Sequence, residues 1–222
     1  MNKKIVLFIS CLLVGYFIYS SAVAQSDFTI ARLKYRGGGD WYNDPSAIPN
    51  LLKFMKNETT INTAPDEKRV AIMSEELFSY PVIFLTGHGK IIFSEEEAAR
   101  LRKYLINGGF LYADDDYGMD KYFRAEIKKV FPEKDLVELP FTHKIYHCHF
   151  DFPNGLPKVH EHDSGPPHGY GIFHEGRLVV YYTFNTNISD GWPDPQVHGD
   201  PQAKRLEALK MGTNIFVYVL MN

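Results

Sequence analysis

Val82-Ile83-Phe84-Leu85-Thr86, stopped by Gly87-His88-Gly89, and Phe110-Leu111-Tyr112-Ala113, entered through Asn107-Gly108-Gly109 and leaving into Asp114-Asp115-Asp116-Tyr117-Gly118, decide the fold. Each is a continuous apolar run of strand length bounded by turn residues, the pattern of a strand buried on both faces. Between them Ser94-Glu95-Glu96-Glu97 reads as a capping box: the serine oxygen and the Glu97 carboxylate satisfy backbone amides left open at a helix start. The helix continues through Leu101 and Leu105. Strand, helix, strand in this order predicts a right-handed parallel crossover.

The same reading extends in both directions. Upstream, residues 28–35 alternate apolar and polar as a half-buried strand does, and Gly37-Gly38-Gly39 ends them. Asp44-Pro45 reads as a capping acid followed by proline, opening a helix with Ile48, Leu51, Leu52 and Met55 on one face. Residues 62–68 read as loop, and the short 69–73 segment carries no firm assignment. Downstream, a helical pattern over 119–131 buries Tyr122, Phe123, Ile127 and Val130, and Pro132 closes it. Residues 136–139 look strand-like. The stretch 141–171, rich in His, Pro and Gly, suits a long excursion over one sheet edge. Residues 171–173 and 177–182 pair around Glu175-Gly176, and residues 203–220 form a closing helix interrupted at Gly212. The sum is an α/β chain, three-layer α/β/α around a mostly parallel sheet.

The first residues set a compartment. Lys3 and Lys4, an apolar run from Ile5 to Tyr19, and small residues at Ala22 and Ala24 have the form of a secretory signal peptide cleaved after Ala24. The alternative, an uncleaved anchor, needs about 20 apolar residues. Residues 1–24 are therefore expected to leave and residues 25–222 to form one domain, exported and by default periplasmic, without a membrane span. A net charge of −3 and the lack of a Lys/Arg cluster argue against nucleic acid as a partner. Cys11 departs with the leader, so Cys148 has no disulfide partner within the mature chain.

Several segments carry a resemblance: Arg32-Leu33-Lys34-Tyr35 with Gly38-Gly39-Asp40-Trp41-Tyr42, Gly108-Gly109-Phe110-Leu111 entering the three aspartates, Gly176-Arg177, and Gly212-Thr213-Asn214. Through them the chain, from Phe28 to its end, resembles the bacterial domain-of-unknown-function family 4159. That family in turn looks like the flavodoxin-like, class I glutamine amidotransferase-like fold, in which a strand after a Gly-Gly pair delivers a nucleophilic cysteine on a sharp turn. Here that turn holds Asp114, Asp115 and Asp116. A carboxylate does not replace a thiolate in glutamine hydrolysis, so amidotransferase activity is not expected. The resemblance implies a protein partner in the cell envelope.

The candidate ligand-pocket residues are Gly38, Gly39, Asp40, Trp41, Tyr42, His88, Asp114, Asp115, Asp116 and Arg177. The three aspartates sit just past a strand's carboxyl end, where open parallel sheets bind ligands. Three adjacent carboxylates repel, so at least one should be protonated, cation-paired or turned outward. Alternatively one caps the next helix and the others are solvated. His88 ends the neighbouring strand and is either a base or ligand in the same crevice or a loop histidine bonded to backbone. Trp41 and Tyr42 stack on a sugar or pack the loop onto the sheet. Arg177 holds either a carboxylate of the cluster or a surface acid.

Six histidines, His143, His147, His149, His160, His162 and His168, crowd one region, two pairs as His-x-His. On a strand that spacing puts both imidazoles on one face, as zinc sites do, which makes His147, His149, His160 and His162 candidate ligands of a divalent metal. The same spacing also arises by chance. Cys148, between two of them, points away from both on a strand and reads as a structural cysteine. There is no Gly-x-Ser-x-Gly elbow, and Gly37-Gly38-Gly39 lacks the residues of a P-loop or dinucleotide turn. Two functions follow as expectations: an exported binding or accessory module of the cell envelope without the amidotransferase nucleophile, or a metal-assisted hydrolase using Asp115, His88 and one His-x-His pair.

Overall fold

The computed structural model describes residues 27–222, so the leader expected over residues 1–24 lies outside the described residues. Seven strands form one sheet: β1 (Ala31–Lys34), β2 (Lys68–Ala71), β3 (Val82–Leu85), β4 (Phe110–Asp114), β5 (Val137–Glu138), β6 (His168–His174) and β7 (Arg177–Phe184), in the spatial order β2-β1-β3-β4-β7-β6-β5. The first five in that order are mutually parallel, and β6 and β5 extend the sheet antiparallel. The helices are α1 (Ala47–Glu58), α2 (Glu95–Ile106), α3 (Asp120–Val130) and α4 (Gln202–Leu220).

The central strands are apolar on both sides because both faces are covered. Leu33, Ile83, Leu85, Leu111, Ala113 and Val180 pack with α2 and α3 on one face. Ile30, Val82, Phe84, Phe110, Tyr112 and Tyr181 pack with α1 and α4 on the other. The Ser94 box is formed as its sequence predicts, with Glu97 N–H donating to Ser94 Oγ at 3.2 Å and Ser94 N–H to the Glu97 carboxylate at 2.7 Å. Among the described residues no helix is long and apolar enough to cross a membrane.

Four local expectations are corrected and one unassigned segment is filled. β2 begins at Lys68, at the end of the expected loop, and runs to Ala71, paired parallel with β1 as the sheet edge. The first strand is shorter than its alternation suggests: Phe28 makes only an isolated bridge with Thr63. Asp44 does not cap α1; Ser46 precedes the helix without a side-chain cap bond, and the Asp44 carboxylate faces His198. Gly212 does not interrupt α4. A Cβ there would lie 2.8 Å from the Trp192 ring, so glycine is what lets this buried indole lie against the helix. Finally, the 141–171 segment does more than cross an edge. Its Ile145, Tyr146, Leu156 and Val159 join the core on the α1/α4 face, and its far end reaches the carboxyl ends of the strands.

Candidate functional site

Strands β1, β3, β4 and β7 are parallel, so the loops that follow them emerge on one side of the sheet: residues 36–46, 86–93, 115–119 and 185–191. The helix after β1 packs on one face and the helix after β3 on the other. Adjacent chains departing to opposite faces leave a crevice beyond the strand ends, the usual ligand position in open α/β sheets.

All three aspartates of the β4 turn are buried. Asp114 accepts hydrogen bonds from the Thr183 hydroxyl and from the Ser189 amide and hydroxyl, the last two at 2.7 Å. Burial still pushes its carboxyl up to about 7 against those bonds. Asp115 accepts the Met119 amide at 2.9 Å, the start of α3, and the Tyr182 hydroxyl at 3.4 Å. Burial outweighs them and lifts it to about 6. Asp115 thus ties down Met119, the residue before α3, without being its N-cap, and the other two are enclosed rather than solvated. Asp116 accepts Asn43 Nδ2 at 2.6 Å and lies 3.3 Å from His88 Nδ1. Burial raises it, His88 opposes that, and Asp44 and Asp40 push it further up.

His88 is exposed, and Asp40 grips it at two points: Oδ1 accepts the His88 amide at 2.6 Å and Oδ2 faces ring Nδ1 at 3.0 Å. Burial alone would raise the Asp40 carboxyl, but the bonds from His88 hold it below its ordinary value. Gly87 permits this approach. Its φ of 132° suits glycine, and a Cβ there would lie 2.5 Å from the Tyr35 hydroxyl.

The two His-x-His pairs separate. Neither lies on a strand. His147 spends both ring nitrogens locally, Nδ1 on Asp151 at 2.5 Å and Nε2 on the Phe141 carbonyl at 2.7 Å, and His149 stands edge-on to Phe150. Cys148 Sγ donates to the Asn214 carbonyl at 3.2 Å, and burial pushes its thiol up to about 11. His160 and His162, by contrast, reach the crevice with ring centroids 4.8 Å apart. The Val159 amide donates to the Thr186 carbonyl at 2.9 Å, and Asn185 Nδ2 holds the carbonyls of Ser164 and Pro166, which pins this segment to the loop after β7.

There the two histidines meet residues that the sequence reading did not select. His160, His162 and Asp190 bring one donor atom each within 4.8 Å of one another, and so do Asp44, Asp190 and His198. Asp190 is 3 % exposed, and its Oδ1 has no hydrogen-bond partner. Burial, then Asp116 and Asp114, raise its carboxyl well above the ordinary range. His198 Nε2 lies 2.9 Å from Asp44 Oδ2 and 3.9 Å from Asp190 Oδ1. Behind His160, Nδ1 meets Asp200 at 3.2 Å, the supporting carboxylate that a metal-binding imidazole ordinarily has. Burial and the neighbouring His160 lower the pKa of His162, favouring the neutral ring that ligates metals.

The frame around these donors is specific. Asp190 lies in a short 3-10 turn, Ile188–Gly191, held by Trp192, whose indole N–H donates to the Ala208 carbonyl at 2.9 Å. The fully buried Arg32 bonds Glu67 at 2.8 Å and reaches the carbonyls of Trp41, Asn43 and Asp44 at 3.0–3.4 Å, clamping the loop that presents Asp40 and Asp44. Asp44, Asn185 and Asn187 all have φ near +50°, and such left-handed non-glycine residues concentrate at functional sites. Beside the donors lies a cavity of about 340 Å³, lined by Asp116, Tyr117, His162, Asp163, Phe184 and Asn187 among others. His162 lies tilted against the exposed Tyr117, with ring centroids 4.6 Å apart.

The remaining candidates fall in different places. Gly39 packs close to the Tyr35 hydroxyl and the His88 carbonyl, whereas Gly38 faces open space. Trp41 is half-buried beneath Lys34, and Tyr42 stands exposed and edge-on to it. Arg177 is a correction. It begins β7, at the opposite end of the parallel strands from the aspartates, where it donates to the carbonyls of Gly109 and Leu105. Asp190 lies beyond the end of β7 in a short turn that no sequence pattern marks. Asp44 looked like a helix cap, and His198 had no patterned neighbour.

No curated protein matches the chain. The family described as "Domain of unknown function (DUF4159)" matches residues 29–220, nearly the whole described structure, and the chain belongs to that family.

Proposed function

We propose that this chain is an exported, divalent-metal-dependent hydrolase built on a flavodoxin-like, class I glutamine amidotransferase-like sheet without the amidotransferase nucleophile. For the fold, the support is the order of the five parallel strands. Numbered among themselves they run 2-1-3-4-5, the flavodoxin-like order. For the chemistry, one observation carries the reading: His160, His162 and the buried, unpartnered Asp190 converge within 4.8 Å at the carboxyl ends of those strands, with Asp200 behind His160. Two imidazoles and a carboxylate form a donor set of catalytic zinc-type sites, which keep a position for water. Held by these residues, a zinc ion would lower the pKa of its water toward about 7 and so supply a hydroxide nucleophile. His88, with Nδ1 against Asp40, keeps Nε2 free at the exposed side of the crevice for proton transfer. The cavity beside His162 is where a substrate would lie. Export to the periplasm rests on the leader pattern ending at Ala24, and a cell-envelope protein partner on the family resemblance.

The test is the metal content of the purified protein, followed by hydrolysis of a panel of nitrophenyl esters, phosphoesters and amides with zinc or manganese present. The expected result is bound metal that disappears in His160→Ala/His162→Ala, and a metal-dependent hydrolysis lost in the same variant. A folded protein that binds no zinc, manganese or iron from metal-replete buffer rejects the hydrolase and leaves a binding module with a pocket at Tyr117 and His162.

A further inference from the structure

Two donor triads meet at one carboxylate. His160 and His162 form one with Asp190, and Asp44 and His198 form another with Asp190; the two groups share no other residue. We propose that the centre binds two divalent cations, one in each triad, with Asp190 bridging them. This rests on the metal-dependent reading above and goes beyond it in nuclearity and in the role of Asp190.

The geometry argues for two ions over one. Donors bound at about 2.1 Å to a single ion lie about 3.0–3.5 Å apart for angles between square and tetrahedral. The His198 Nε2 to Asp44 Oδ2 separation of 2.9 Å and the 3.9 Å to Asp190 Oδ1 bracket that range, so the second triad is nearly formed without the first. His160 stands further off, its ring centroid 5.9 Å from that of His198. A carboxylate can bridge two ions through its two oxygens, and both Asp190 oxygens are available for that. Oδ1 is buried with no partner, and Oδ2 has only a long 3.4 Å contact from Asn187 Nδ2. Charge points the same way. Asp44, Asp116 and Asp190 make their ion pairs with histidines alone, and no lysine or arginine pairs with any of them among the described residues. Two buried carboxylates and the partly buried Asp44, without a fixed cation, favour more than one divalent charge. Ions 3.5–4 Å apart are the usual form of such paired centres.

Stoichiometry separates this inference from the reading beneath it. The full-length mature protein is stripped with chelator, reloaded with Mn(II), passed through a desalting column, assayed for metal, and examined by electron paramagnetic resonance. Two ions per chain with an exchange-coupled signal are expected, falling to one uncoupled ion in His198→Ala and one in His160→Ala, while Asp190→Ala removes the coupling. One ion per chain, lost alike in both histidine variants, overturns the pair and leaves a mononuclear centre. Two ions without coupling overturn the bridge. No bound ion overturns both this inference and the hydrolase. The wild-type measurement decides even if a variant fails to fold.

Discussion

His147 and His149 have the same spacing as His160 and His162, lie in the same long connection between β5 and β6, and end in opposite chemical situations. In the first pair the ring nitrogens of His147 are both consumed by neighbours four and six residues away, Asp151 and Phe141. That segment is fastened to α4 by the side chain of Asn214, which exchanges two 2.7 Å hydrogen bonds with the backbone of Phe150. The second pair is fastened through its backbone, by Val159 and by the carbonyls that Asn185 holds, so its imidazoles stay available to Asp190 and Asp200 of the connection between β7 and α4. A His-x-His motif becomes a candidate ligand pair when backbone bonds fix the segment and leave the rings free.

The comparison breaks most directly by exchanging the pairs. His160→Ala/His162→Ala should abolish the metal-induced rise in melting temperature, and His147→Ala/His149→Ala should keep it. A ligand at about 100 times its Kd is worth about 2.7 kcal/mol to the folded state, so differential scanning fluorimetry resolves the difference. A reversed outcome would move the centre to the wrong segment. Next in size, Asn214→Ala leaves two backbone groups of Phe150 unpaired and should cost about 2 kcal/mol in urea denaturation, with metal affinity unchanged. A loss of metal there would show that the two segments are coupled.

Asp200→Asn sharpens the contrast on the other side. It weakens the support behind His160 and should reduce metal affinity about tenfold in a competition titration, with little change in stability. The smallest effect is at His147, whose pKa is raised above 6.5, first by its hydrogen bond to Asp151. Because the folded value is the higher one, that contribution is present below about pH 6.5 and disappears as pH rises through the folded value. In an NMR titration Asp151→Asn should return His147 toward its ordinary value. A shift that survives the substitution would place its cause elsewhere.

Much of the scaffold was legible in local patterns. Continuous apolar runs marked β3 and β4 because strands covered on both faces have no polar side, and the Ser94 box marked the start of α2 because its bonds close within four residues. The edge strand β2 was not legible, since only Val70 of its four residues is buried and its identity comes from pairing with β1. The site divided along the same line. Asp114–Asp116 and His88 were visible as polar residues ending apolar strands. Asp44 was read as a cap, and Asp190, His198 and Asp200 lay in loops without periodicity.

By itself, the sequence determined an α/β chain with buried parallel strands and a turn of three aspartates at the end of one of them, and it offered a leader-like pattern at its start. Those features depend on neighbours within one element or one turn. Only the tertiary structure decided which histidines share a crevice, that Arg177 sits at the far end of the strands, and that Asp190 is buried without a partner. Each of these depends on loops up to about 150 residues apart, such as Asp44 and His198, meeting at strand ends whose order in space differs from their order in the chain.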